Sequence, residues 1–170
     1  MVRLRATRKV LSSLGPGSAS NDPSHTALGD WFVNRFVIDR QPLLILVSSA
    51  SLLPILEPAR RVRALPGRLS SIVRRRLSNL GVDESLISAE IAAMDPVLVA
   101  CTNDRSVVGT MVDFVHSARW LAPPDATLDR ATLDSLEADL QRMPCRVTRA
   151  QSETVFPAEL ARALLARSQH

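Results

Sequence analysis

A chain of 170 residues, 46% hydrophobic and 22% charged, holds one domain with a proper core and is too short for two comfortable ones. Its two cysteines make neither a disulfide framework nor a metal spacing, which excludes a disulfide-built secreted scaffold. The net charge of +4 hides a split: residues 1–82 carry 13 Lys+Arg against 4 Asp+Glu, and residues 83–170 carry 8 against 13.

In chain order, VRLRA at 2–6 alternates, with Val2, Leu4 and Ala6 on one face and Arg3 and Arg5 on the other, which predicts a half-buried strand. Thr7 is placed to cap a short helix, RKVLSSL, that Gly15 ends. Residues 15–27 are turn-formers with little apolar content, a mobile loop. WFVNRFVI at 31–38, aromatic and β-branched, predicts a strand. DRQP at 39–42 is a turn, and LLILV at 43–47 is a strand covered on both faces, so the pair makes an antiparallel hairpin. Ser51 is expected to cap a brief helical turn, LLPILE.

A helix over about 67–80 carries Leu69, Ile72, Val73, Leu77 and Leu80 on one stripe and stops at Gly81. Arg76 falls inside that stripe, so it should be ion-paired. Asp83 caps a further helix with Leu86, Ile87, Ile91 and Met94 inward. VLVAC at 97–101 then predicts a buried strand ending in a buried Cys101. APPD at 122–125 is a hinge. The segment ATLDSLEADLQRM is amphipathic, and Pro157 opens a last helix, AELARALLAR.

Strand–helix, hairpin, two helices, strand, helix is the pattern of an α+β fold: a small, mostly antiparallel sheet covered by helices. Residues 1–121 form the expected core domain and 122–170 a helical C-terminal appendage packed on it. The N-terminus lacks an apolar secretory segment, and the apolar run at 43–56 is short and broken by serines and Pro54. The expectation is a cytoplasmic protein that does not enter a membrane.

Residues 103–121 predict a helix with two unlike faces. Asn103 or Asp104 caps it. Val107, Val108, Met111, Phe114, Val115, Ala118 and Leu121 share the core arc; Gly109, Asp113, His116 and Trp120 share the opposite one. A glycine inside a helix costs about 1 kcal/mol relative to alanine, so Gly109 is expected where another surface approaches the backbone, either this chain's own or a ligand's. Asp113 and His116 are neighbours suited to an ion pair, to half of a metal site, or to an acid/base pair. The ion pair is the simplest, and neither a metal-ligand spacing nor a GxSxG elbow supports the others. No metal or cofactor is therefore expected.

On these residues the chain resembles a family of small uncharacterised prokaryotic proteins, a domain of unknown function. Three blocks carry the likeness over about residues 2–121: RLRATRKVLSSLG; the Leu28-Gly29-Asp30-Trp31 opening followed by Asn34 and a basic turn; and Asn-x-Arg-Ser-Val-x-Gly-x-Met-x-Asp, which falls on Asn103, Arg105, Ser106, Val107, Gly109, Met111 and Asp113. The resemblance implies a compact single domain, often encoded on mobile or accessory DNA, with no established activity.

The candidate anion- or partner-binding set is then Asp30, Trp31, Asn34, Arg40, Asn103, Arg105, Gly109, Asp113 and His116, with no catalytic residue assigned. A helix start beside an arginine suits an anion, whereas an Asp30–Arg105 ion pair would make the same motif a structural clasp. The charge split offers a basic half to an anionic partner, or draws the two halves together. Arginine number alone is weak evidence, since an arginine-rich chain with Lys9 as its one lysine also reflects a GC-rich genome. The expected function is a non-catalytic binding module for a protein or nucleic-acid partner through the basic N-terminal half. Two alternatives stand beside it: a small hydrolase or nuclease built on an Asp/Arg/His cluster, and a homo-oligomer or assembly subunit using Trp120 and the C-terminal helices.

Overall fold

The computed structural model describes residues 1–15, 17, 22, 24–146 and 154–168; part of the loop expected at 15–27 lies outside them. Five strands, β1 (Val2–Ala6), β2 (Trp31–Ile38), β3 (Gln41–Ser48), β4 (Pro54–Pro58) and β5 (Val97–Cys101), form one sheet in the order β4-β3-β2-β1-β5. β1 runs parallel to both β2 and β5, while β2–β3, the longest ladder, and β3–β4 are antiparallel. Among the described residues six α-helices cover it: α1 (Arg8–Leu14), α2 (Leu65–Asn79), α3 (Glu84–Ala93), α4 (Arg105–Leu121), α5 (Arg130–Leu140) and α6 (Pro157–Arg167). The α+β expectation holds, with a mixed sheet that is mostly antiparallel.

Alternation along the strands divides the core in two. Val2, Leu4, Trp31, Val33, Leu44, Leu46 and Ile55 face α2, α3 and α6. Phe32, Phe36, Ile45, Val47 and Leu56 face α4 and α5, through Met111, Phe114, Leu133 and Leu136. The β2–β3 hairpin turns on Asp39 and Arg40, both at positive φ (43° and 64°), the backbone of a two-residue turn matched to strand twist.

Several local expectations are corrected. LLPILE is not helical: residues 54–58 are an edge strand on β3, with Ile55 and Leu56 feeding opposite cores in a period of two. Pro54 and Pro58 are tolerated because an edge strand leaves one row of donors unused. Ser51 instead braces the turn before it, its hydroxyl meeting that of Ser48 at 2.8 Å and accepting the Leu53 N–H at 3.3 Å. β1 is not half-buried but wholly buried, Arg3 and Arg5 included, because it lies between β2 and β5. β5 is the opposite edge strand, so only Ala100 is buried in it and Cys101 is exposed. Leu121 reaches the end of α4 beyond the core and is exposed too.

The two oppositely charged halves meet along the free edge of β4. Arg76 on α2 is 2% exposed, and its Nε donates to the Pro54 carbonyl at 3.1 Å and lies 3.4 Å from Glu137 Oε2. Glu137, fully buried on α5, takes the Leu56 N–H at 2.7 Å and Arg130 Nη2 at 3.0 Å through Oε1. Glu57 on β4 binds Arg75 at 2.7 Å and Arg130 at 2.9 Å. The expectation that Arg76 is ion-paired is met, and α2, β4 and α5 are tied by one charged cluster. Burial disfavours charge on both partners of the central pair, pushing the Glu137 carboxyl up and the Arg76 guanidinium down, while their mutual attraction opposes both.

Candidate functional site on the outward flank of helix α4

Asp104 Oδ1 accepts the Ser106 N–H at 2.8 Å and the Val107 N–H at 3.4 Å, so it is the cap that starts α4. Val107, Met111, Phe114, Val115 and Ala118 are buried, which fixes the helix rotation. Gly109, Asp113, His116 and Trp120 are thereby turned outward, Trp120 with 88% of its surface exposed.

A Cβ added at Gly109 would meet none of the described residues within 4 Å, so close packing among them does not explain the glycine. It borders instead a cavity of about 1000 Å³ between the first half of α4 and residues 143–146 after α5. Arg105, Asp113, Met143, Cys145 and Arg146 contribute to its walls. Cys145 is held there by a two-way backbone bridge to Val155, both bonds 2.8 Å. Burial, with the Asp113 charge adding to it, pushes its thiol up to about 11. At neutral pH that sulfur is a protonated thiol, not a thiolate nucleophile.

The nine candidate residues separate into groups. Arg105, Gly109 and Asp113 share the large cavity. His116 does not join them: it opens onto a smaller cleft of about 490 Å³ with Asn34, Lys9, Arg35 and Arg119, and onto an apolar hollow beside Trp120 and Met143. No ion pair forms between Asp113 and His116. Asn34 Oδ1 accepts the Thr7 hydroxyl at 2.8 Å and the Arg35 N–H at 2.9 Å. Arg40 sits exposed at the hairpin tip and Asn103 exposed ahead of the helix cap; neither lines these cavities.

Asp30 and Trp31 belong to the interior. Asp30 does not clasp Arg105; its Oδ2 lies 2.5 Å from Arg5 Nε and its Oδ1 takes the Arg3 N–H at 3.3 Å. The reason is the β1–β2 pairing, which sets Asp30 beside buried arginines one strand away. Trp31 is fully buried in the core. The convergence of Asp30, Arg105, Asp113 and His116 that a hydrolase would use is thus not formed. Among the described residues, no three His, Cys, Asp or Glu side chains are grouped to hold a metal ion.

Cys145, Met143 and Arg146 went unnoticed in the sequence as site residues. They lie more than twenty residues beyond α4, and what brings them back to it is the turn after α5 and the bridge to Val155, neither of which has a periodic signature. No curated protein and no solved structure matches the chain. A family model described as a domain of unknown function, DUF6933, matches residues 3–160, which takes in the sheet, α4 and the far wall of the cavity together. The chain belongs to this DUF6933 family of domains of unknown function.

Proposed function

We propose that the protein is a non-catalytic binding module that receives a segment of a protein partner in the groove on the outward flank of α4. The observation that carries this is Gly109: a side-chain-free floor in a cavity of about 1000 Å³, at a position where alanine would hold the helix better and no described residue forbids it. The walls carry both signs of charge, Arg105 and Arg146 against Asp113, which suits a polypeptide more than a polyanion. Trp120 and Leu121 extend the same flank with exposed apolar surface of the kind enriched in contact surfaces. Against catalysis stand the protonated Cys145 thiol and the absence of histidine among the described residues of the groove walls.

The basic-half version of the idea is narrowed. Arg5, Arg68, Arg74, Arg75 and Arg76 are ion-paired within the chain. Arg8, Lys9, Arg35, Arg40, Arg60, Arg61 and Arg63 are exposed cations available to a nucleic acid.

A displayed peptide library panned against the full chain and against Gly109→Trp tests the groove. Peptides enriched on the wild type and weakened tenfold or more by the substitution are expected. The absence of enrichment, or peptides indifferent to the tryptophan, overturns the reading. RNA and DNA binding at about 50 and 200 mM salt is the companion measurement: strong binding that falls steeply with salt would move recognition to the exposed arginines.

A further inference from the structure

β2 outruns the strand beside it. β1 ends at Ala6, opposite Val33, and the Thr7 N–H to Val33 carbonyl bond of 3.1 Å is the last rung on that side, whereas β2 continues to Ile38. The two-residue turn makes Ile38 and Gln41 a hydrogen-bonded pair, and alternation then sends the backbone groups of Asn34, Phe36 and Ile38 toward β3. Those of Arg35 and Val37 point to the open edge. Pro42 opposite Val37 agrees with this, since that position asks no donor of β3.

Two of the four edge groups are already occupied. The Arg35 N–H donates to Asn34 Oδ1 at 2.9 Å, and Arg119 Nε donates to the Val37 carbonyl at 3.2 Å. The Arg35 carbonyl and the Val37 N–H remain, one acceptor and one donor flanking Phe36, the spacing that a single residue of an added strand meets. No described residue outside the sheet bonds to either.

The edge opens onto the cleft of about 490 Å³ between β2, α1 and α4. Buried Phe36 and Val115 form its floor, and Val37 and Val112 (45% and 42% exposed) its rim. Among the described residues its ionisable lining is Lys9, Arg35, His116 and Arg119, without a carboxylate. Such an edge attracts another chain unless something covers it, and this one is charged for an acidic visitor.

We propose that this edge takes an extended acidic segment of a partner protein by strand addition, its backbone on Arg35 and Val37 and its carboxylates on Lys9, Arg35 and Arg119. A free anion would use the cations and the Val37 donor but leave the Arg35 acceptor idle; a peptide uses all of them. The cleft shares no lining residue with the Gly109 groove, so either site fails alone.

Fluorescence anisotropy with a labelled peptide alternating Glu and Val tests it on the full chain, beside a Lys/Val peptide and a single-stranded DNA of equal charge. The acidic peptide is expected to bind at low salt and the Lys/Val peptide not. Arg35→Glu, an exposed position, should weaken binding tenfold or more. Val37→Pro, which deletes one edge donor that the sheet does not use, should do the same with the circular dichroism unchanged. Absence of binding, binding indifferent to Arg35→Glu, or DNA binding lost in parallel with the peptide would overturn the proposal. If Val37→Pro unfolds the chain, slowed amide exchange at Val37 on adding peptide decides instead, and unchanged exchange is the negative result.

Discussion

The cluster along the β4 edge and the outward flank of α4 both carry arginine and carboxylate side chains and end in opposite states. Along the β4 edge, Arg75, Arg76 and Arg130 meet Glu57 and Glu137 within 4 Å, while the Pro54 carbonyl accepts from Arg76 Nε and the Leu56 N–H donates to Glu137 Oε1. On α4, Arg105 and Asp113 stand at the walls of one cavity and His116 at two others, all exposed. Charge on its own therefore says little about recognition. What separates a structural cation from a recruiting one is whether the fold already supplies its counter-charge.

The sharpest way to break the comparison is to remove one partner from the buried cluster. Arg76→Met leaves Glu137 charged and fully buried without its closest α2 partner, and loss of one member of such a pair costs about 3–5 kcal/mol. Denaturant unfolding should show that loss. Replacing Arg76 and Glu137 together by apolar residues of similar size should restore much of it, because no orphaned charge remains. A cost near zero for the single change would mean that Arg130 and Arg75 hold Glu137 unaided. The same substitution type on the flank, Arg105→Met, should leave the unfolding midpoint where it was, since Arg105 is exposed.

How much of this was legible in the sequence follows from which interactions are local. The two faces of α4, the β2–β3 hairpin and the paired state of Arg76 each follow from a periodicity or a stripe within one element, and each is found. Failures fall where neighbours in space decide. β1 alternates like a surface strand, yet β5, ninety-odd residues away in sequence, pairs along its far side and makes it a central strand whose arginine face is buried. LLPIL carries an apolar run that suits helix or strand until the free edge of β3 claims it. Asp30 was matched to the wrong arginine for the same reason: its partner Arg5 lies on the adjacent strand, and adjacency is a property of sheet order. For the groove, the α4 wall was visible in the spacing of Arg105, Gly109 and Asp113, and the Cys145 wall was not.

A milder contrast lies in Glu90, buried at 3% exposure with no ion pair among the described residues. Its oxygens accept the Ala27 and Leu28 N–H groups at 2.8 and 3.1 Å. Burial raises its carboxyl above the ordinary 4.5, and the two amide bonds only partly offset that. With the folded value above the unfolded one, the contribution to stability is complete below 4.5 and is lost as pH climbs through the folded value. Glu90→Gln removes the titration. Unfolding free energies at pH 4 to 8 should therefore show the wild type losing ground to the variant as pH rises. Parallel curves would mean that Glu90 binds its proton equally in both states.

The smallest effect bears most directly on α4. If the flank were merely surface, nothing would hold a glycine at its centre. Gly109→Ala should raise stability by about 1 kcal/mol, the helix-interior difference between the two residues, because the new methyl enters open space. A stabilised variant that still folds and no longer takes the groove-selected peptides would assign the glycine to recognition rather than to folding. A destabilised one would mean that the helix backbone at Gly109 is pressed by a part of the chain, and the groove would lose its floor.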